Sequence, residues 1–184
     1  MPLQVFWGGA GGFDSLVLDG GSFDSVVYTA TGPQSGTIDR DGDVITYAGL
    51  EPIFDNGSAV DRVVRTSNSV DEATLTDNGT TLTLAPVFPF VTFESLTFTQ
   101  PSNSLTVNLG DYNAGIVPGA PFVSTPASLQ DVLTVNSFSA PGIDLIVNGE
   151  AGTDVVNITG PVNARDVTLN AETINVTNAI AASG

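Results

Sequence analysis

The chain has 184 residues, enough for one domain with a sizeable core, and its net charge of -16 comes from twenty carboxylates against four arginines, Arg40, Arg62, Arg65 and Arg165. That balance repels a nucleic-acid backbone or an anionic membrane surface and attracts Ca²⁺, a hard cation that takes oxygen ligands. With no His, Cys or Lys, imidazole bases, thiol nucleophiles and His- or Cys-ligated zinc are excluded, and cysteine usage says nothing about redox compartment.

Residues 1–20 contain no basic segment followed by an apolar run, and nowhere do 18 apolar residues stand together. The expectation is a chain without membrane insertion, a piece of something longer that is exported by signals lying elsewhere. Short bursts of period-2 alternation, bounded by Gly, Asn, Asp or Pro, then follow one another: "SLVL", "SVVYT", "DVITYAG", "DRVVRT", "EATLTD", "TTLTLA", "VTFESLTFT", "SLTVNL", "VLTVNS", "DLIVN", "DVVNIT", "DVTLN" and "TINVT". Each reads as a strand, and no segment carries a 3.6-residue period, so the predicted class is all-β.

Within this series "IDRDGDVITY" places Asp39, Asp41 and Asp43 in the spacing of a calcium loop, but Val44 and Leu50 stand where such a loop needs Gly and Glu. A tight Asp41-Gly42 turn between two strands accounts for it. The stretch "APVFPFVTFESLTF" gathers Phe88, Phe90, Phe93 and Phe98, some of which are expected to seal the core against a neighbouring segment. Residues 114–130, with Pro118, Pro121 and Pro126, read as a long loop inserted into a single domain that spans 1–184.

Toward the C-terminus Asn136 and Asn157 are 21 apart, Asn148 and Asn170 are 22 apart, and Asn157 and Asn178 are again 21 apart. A period of 21–22 residues implies stacked coils, which predicts a parallel β-helix with Asn at its corners. An antiparallel β-sandwich is the alternative, since it also yields short strands at close spacing.

The segments "NSLTVNLGDYN", "DVLTVNSF" and "DLIVNGEAGTDVVNITG" give the chain a texture that resembles the Gly/Asp/Asn/Thr-rich repeat regions of very large secreted or surface-anchored bacterial proteins. Such regions are adhesin-like β-solenoids, related in style to haemolysin-type calcium-binding repeats. The resemblance implies a stiff spacer or surface scaffold at the cell surface or outside the cell. Its partners would be neighbouring repeats, other copies of the chain or cell-surface glycans.

It also implies candidate calcium ligands. "GGAGGFDSLVLDGGSFDSVV", residues 8–27, fits the haemolysin-type nonapeptide twice, through Asp14 and Asp24, but these lie ten residues apart where the motif needs nine, which turns each following side chain to the other face. Asp154 in "GEAGTDVVN" fits a third time, and Asp111 and Asp131 match the two halves of the related phrase that the 114–130 loop interrupts. These five carboxylates are set down as candidate metal ligands, with bracing of turns, as acceptors for backbone N–H groups, the preferred role of Asp14, Asp24 and Asp154. Tyr112, Asn113 and Phe122 are candidate ligand contacts, for an alternative reading as a carbohydrate- or calcium-binding module that uses the 114–130 loop.

Neither a resident cofactor nor an enzyme is expected. A polysaccharide-active β-helix, the third reading, needs paired carboxylates or a base beside an ion. Arg62 and Arg65 are the arginines near each other in sequence. Three residues apart on a strand, they face opposite ways, with Asp61 and Glu72 as expected surface partners.

Overall fold

The computed structural model describes residues 4–9, 12, 14–110, 130–150 and 152–184, and every regular element among them is a β-strand. None of the described residues forms a helix able to cross a membrane. The first five strands are β1 (Gln4–Trp7), β2 (Leu16–Leu18), β3 (Ser22–Gly32), β4 (Ser35–Arg40) and β5 (Asp43–Ala48). Strands β3, β4 and β5 form an antiparallel meander. Asp41 and Gly42 join β4 to β5 with φ of 53° and 92°. Two consecutive positive φ values make a type I′ hairpin turn, whose twist suits the flanking strands. Asp39 Oδ1 accepts the Gly42 N–H at 2.7 Å, so this Asp closes a turn.

Next come β6 (Ile53–Asp55), β7 (Ser58–Arg65), β8 (Glu72–Asp77), β9 (Thr81–Pro86) and β10 (Leu96–Thr99), in which β8, β9 and β10 form a second antiparallel meander. The remainder is β11 (Ser104–Asn108), β12 (Val132–Val135), β13 (Phe138–Ala140), β14 (Asp144–Asn148), β15 (Val155–Ile158), β16 (Val162–Ala164), β17 (Val167–Asn170), β18 (Thr173–Val176) and β19 (Ile180–Ala182).

Three mixed or parallel sheets result. One has the order β1-β5-β4-β3-β7-β11-β14-β17, the second β18-β15-β12-β8-β9-β10-β6-β2, and the third β13-β16-β19. From β12 onward the chain visits the second, third and first sheets in turn, and every pairing among these strands is parallel. Register partners are 22 residues apart for Leu145 and Val167, 23 for Leu133 and Val156, and 24 for Phe138 and Val162. The final pairs, Val156 with Ile174 and Val162 with Ile180, are only 18 apart.

Alternation along each strand sets one side chain in two toward the interior, and register then stacks like on like. Val64, Val107 and Val147 form one buried column, Ala73, Leu133 and Val156 another, and Leu75, Val135 and Ile158 a third. Full burial of a Val, Leu or Ile side chain stabilises by about 1.5–3 kcal/mol, so these columns carry the fold. The second and third columns end at Ile174 and Val176, and the Phe138–Val162 column ends at Ile180; these keep 42%, 52% and 37% of their surface exposed because β18 and β19 are edge strands.

Asn148 is a true register partner of Asn170, and Asn108 joins them. The Asn148 amide donates to Asn108 Oδ1 at 2.9 Å and the Asn170 amide to Asn148 Oδ1 at 2.8 Å. The other two spacings mislead. Asn157 lies against Thr134 and Asn175, not against Asn136 or Asn178. The last connections are shorter, which puts the partner 18 residues on, and the Asn175 amide donates to Asn157 Oδ1 at 2.9 Å. Of the phenylalanines, Phe93 and Phe98 are core, while Phe88 and Phe90 face solvent.

Candidate functional site

Charged groups are brought together at three places. The first is a buried cluster inside the meanders. Asp55, at the end of β6, accepts four hydrogen bonds: from Tyr28 Oη at 2.6 Å and Arg62 Nη1 at 3.2 Å on Oδ2, and from Arg40 Nη2 at 2.6 Å and the Gly57 N–H at 3.0 Å on Oδ1. Arg62 also donates to the Tyr28 hydroxyl and to the Gly57 carbonyl, and its guanidinium lies 5.3 Å from the Phe98 ring centroid. Burial, joined by the charge and hydrogen bond of Asp55, pushes the Tyr28 hydroxyl well above its usual range against the opposing fields of Arg62 and Arg40. Arg62 is wholly buried in the register column of Leu105, which corrects the expectation of a surface partner in Asp61 or Glu72. Its position on the inward side of β7 follows from alternation, and Asp55 makes that position tolerable by supplying the counter-charge.

The second place contains two of the predicted metal ligands. Asp71, Asp131, Asp154 and Glu172 each stand one residue before a strand of the second sheet, at equivalent register. Asp131 Oδ1 accepts the Asp71 N–H at 2.6 Å, Asp154 Oδ1 accepts the Asp131 N–H at 3.0 Å, and Glu172 Oε2 accepts the Asp154 N–H at 2.7 Å. Gly149 leaves room for this arrangement, since a Cβ there would come 2.7 Å from Asp154 Oδ2. Asp71 Oδ1 accepts the Ser67 hydroxyl at 2.9 Å and the Thr92 hydroxyl; burial raises its pKa more than those hydrogen bonds lower it. The carboxyls follow one another along the sheet, each bonded to the backbone of its neighbour, instead of converging on a point. Among the described residues no three acidic side chains are grouped to hold a metal ion.

The other candidates lie apart. Asp14 Oδ2 accepts the Gly9 N–H at 2.6 Å and its carbonyl accepts the Glu51 N–H at 2.7 Å. Asp24 is exposed on β3, with its own N–H donated to Asp41 Oδ2 at 3.0 Å. Asp111, Tyr112, Asn113 and Phe122 fall outside the described residues.

The third place is a groove of about 260 Å³ between the β5–β6 and β9–β10 connections, each of which contains a cis X-Pro bond, at Pro52 and Pro89. The Ile53 N–H donates to the Ser95 carbonyl at 2.9 Å and holds the two connections side by side. Pro52, Pro86, Val91 and Phe93 make apolar walls, and the Glu51 and Glu94 carboxyls meet across the groove within hydrogen-bonding reach. Glu94 is 5% exposed, and among the described residues no donor is placed on its Oε1. Burial first, and then the charge and hydrogen bond of Glu51, push Glu94 up to about 8. Burial and the charge of Glu94 raise Tyr47 in turn.

A buried acid beside a second acid, in a concave site, is the arrangement that holds or exchanges a cation or a proton. Sequence reading passed over both residues. The available signal was Glu94 as the lone charge within the apolar run Val91–Phe98. No protein-family model matches the chain, and no curated protein or solved structure is significantly similar to it.

Proposed function

We propose that the chain is a parallel β-helix that serves as a stiff spacer or surface scaffold within a large extracellular or surface-anchored protein of the Gly/Asp/Asn/Thr-rich repeat type. The observation in its favour is the register of the parallel pairings: Val64, Val107 and Val147 lie on one another, as do Asn108, Asn148 and Asn170, and Asp71, Asp131 and Asp154 follow one another along the second sheet. Such one-dimensional stacking makes each strand layer brace its neighbours and projects whatever follows along one axis. The unpaired edges of β17, β18 and β19, with Ile174, Val176 and Ile180 beside them, suit a further layer supplied by a neighbouring repeat or another copy. The carbohydrate- or calcium-binding alternative depends on Asp111, Tyr112, Asn113 and Phe122, outside the described residues.

The test uses the absence of cysteine. Val44 and Thr168 face outward and are linked through Asp39, Val27, Val63, Thr106 and Ile146, six strand-to-strand steps in register. At about 4.8 Å per step their Cα atoms are separated by about 29 Å. Spin labels on Val44→Cys and Thr168→Cys should give one narrow distance distribution near that value, allowing for the label arms. A broad or two-peaked distribution would remove the basis for a rigid scaffold.

A further inference from the structure

We infer that the groove between the β5–β6 and β9–β10 connections binds an alkylammonium group, of the kind that ends a lysine side chain, with Glu51 and Glu94 as its anionic partners. Two carboxyls in hydrogen-bonding reach do not both ionise unless something positive sits with them. In the free protein that is a proton. Glu94 lines the groove beside Glu51, and none of the described residues gives its buried Oε1 a donor. An ammonium supplies three donors and a full charge.

The walls decide between kinds of cation. A calcium ion takes six to eight oxygens, whereas this groove offers two carboxyls among the apolar faces of Pro52, Pro86, Val91 and Phe93. Those faces fit a chain of methylenes, along which a lysine stem packs while its charge reaches a polar end. The space of about 260 Å³ is enough for such a side chain. No lysine exists in this chain to fill it. Phe88, 84% exposed, and Phe90 belong to the same β9–β10 connection as the groove residues Val91 and Phe93, and exposed apolar surface on that connection favours a polypeptide over a free amine. The charge of -16 draws cationic partners in.

The groups facing Glu94 are Glu51, across the groove, and Tyr47, which feels its charge. Tyr28 and Arg65 line a smaller cavity behind it. Since Glu94 holds its proton up to about 8, the ammonium displaces that proton, and one proton passes to solvent for each cation bound. Affinity therefore climbs with pH, by up to about tenfold per unit, until Glu94 is ionised in the free protein, and is level above that.

The experiment is a titration of the full chain with n-butylammonium and with Nα-acetyl-lysine methylamide, followed by NMR and calorimetry from pH 6 to pH 9 in buffers of different ionisation heat. The expected result is saturable one-site binding with proton release and the pH slope just described. Glu94→Gln should weaken binding and abolish the slope while leaving thermal stability at neutral pH equal or higher. Tighter binding of the lysine derivative assigns the site to polypeptides, and equal binding assigns it to free amines. Absence of saturable binding by either probe, a slope that survives Glu94→Gln, or release of the same proton by CaCl₂ at equal concentration would overturn the proposal.

Discussion

Replacing Asp55 by Asn is the most informative single change in the interior. The substitution keeps the volume and one acceptor oxygen but removes the charge that faces Arg40 at 2.6 Å and Arg62 at 3.2 Å. It also turns an NH₂ group toward some of the four donors that now converge on the carboxylate: Tyr28 Oη, the two guanidiniums and the Gly57 N–H. Removing one partner of a buried ion pair costs about 3–5 kcal/mol, because the remaining charge stays desolvated and unmatched. A loss of that size is about a third of the stability of an ordinary domain, and for a chain of this length it lowers Tm by roughly 6–20 °C. Urea denaturation followed by circular dichroism at pH 7 measures it directly. Asp144→Asn is the control, because the Arg165–Asp144 bridge is partly exposed and should matter little. Asp55→Asn combined with Arg62→Met should recover most of the loss, since the buried guanidinium is then gone as well. The reasoning fails if Asp55→Asn costs no more than Asp144→Asn, or if the double variant is as unstable as the single one.

Glu94 gives the chain a pH-dependent stability of definite sign. Its carboxyl is raised from 4.5 to about 8 on folding, so the unfolded chain gives up this proton first, and native stability falls as pH rises between those values and is level above them. The stability of Glu94→Gln relative to the parent protein should therefore grow from pH 5 to pH 8, measured by thermal melts, and a constant difference would contradict the assigned burial. Asn148→Ala removes both amide bonds of the Asn108–Asn148–Asn170 ladder and should cost about 1–2 kcal/mol in urea melts. An unchanged midpoint would show that these amides prefer solvent. Gly160→Ala should destabilise by about 1–3 kcal/mol or more, because a Cβ there would fall onto the Asn136 carbonyl, whereas Gly142→Ala, which meets nothing within 4 Å, should be nearly neutral. Equal melting temperatures for these two variants would refute the close approach at Gly160.

Strands were legible wherever alternation ran for four residues or more. "EATLTD" and "DLIVN" coincide with β8 and β14, and Asp41-Gly42 is the turn its residues suggested. The third sheet escaped notice because "FSA", "VNA" and "IAA" are too short for a period to emerge, and small residues there leave no apolar signal. Asparagine spacing succeeded at Asn148 and Asn170, where two strands of equal register are joined by 22 residues, and failed at Asn136, where connection length and register part company. The charged sites were harder still. Asp131 and Asp154 were candidate calcium ligands, and for Asp154 the acceptance of backbone N–H groups was the preferred reading; both accept backbone N–H of the adjacent strand, and which strand that is depends on which segments lie side by side. Arg62, Asp55 and Glu94 look like ordinary surface charges in one dimension. Their significance comes from the fold, which places Asp55 and Arg62 beside Tyr28 in one desolvated cluster and Glu94 beside Glu51 in the groove.

The unequal intervals between register partners, from 24 residues down to 18, bear on how such a chain can change over generations. A strand finds its place from the neighbour it lies against, so a deletion at a corner is absorbed there and leaves the ladder on either side undisturbed. A lineage carrying this protein is free to trade peptides at such corners while the interior columns, where a single methyl group is felt, stay fixed.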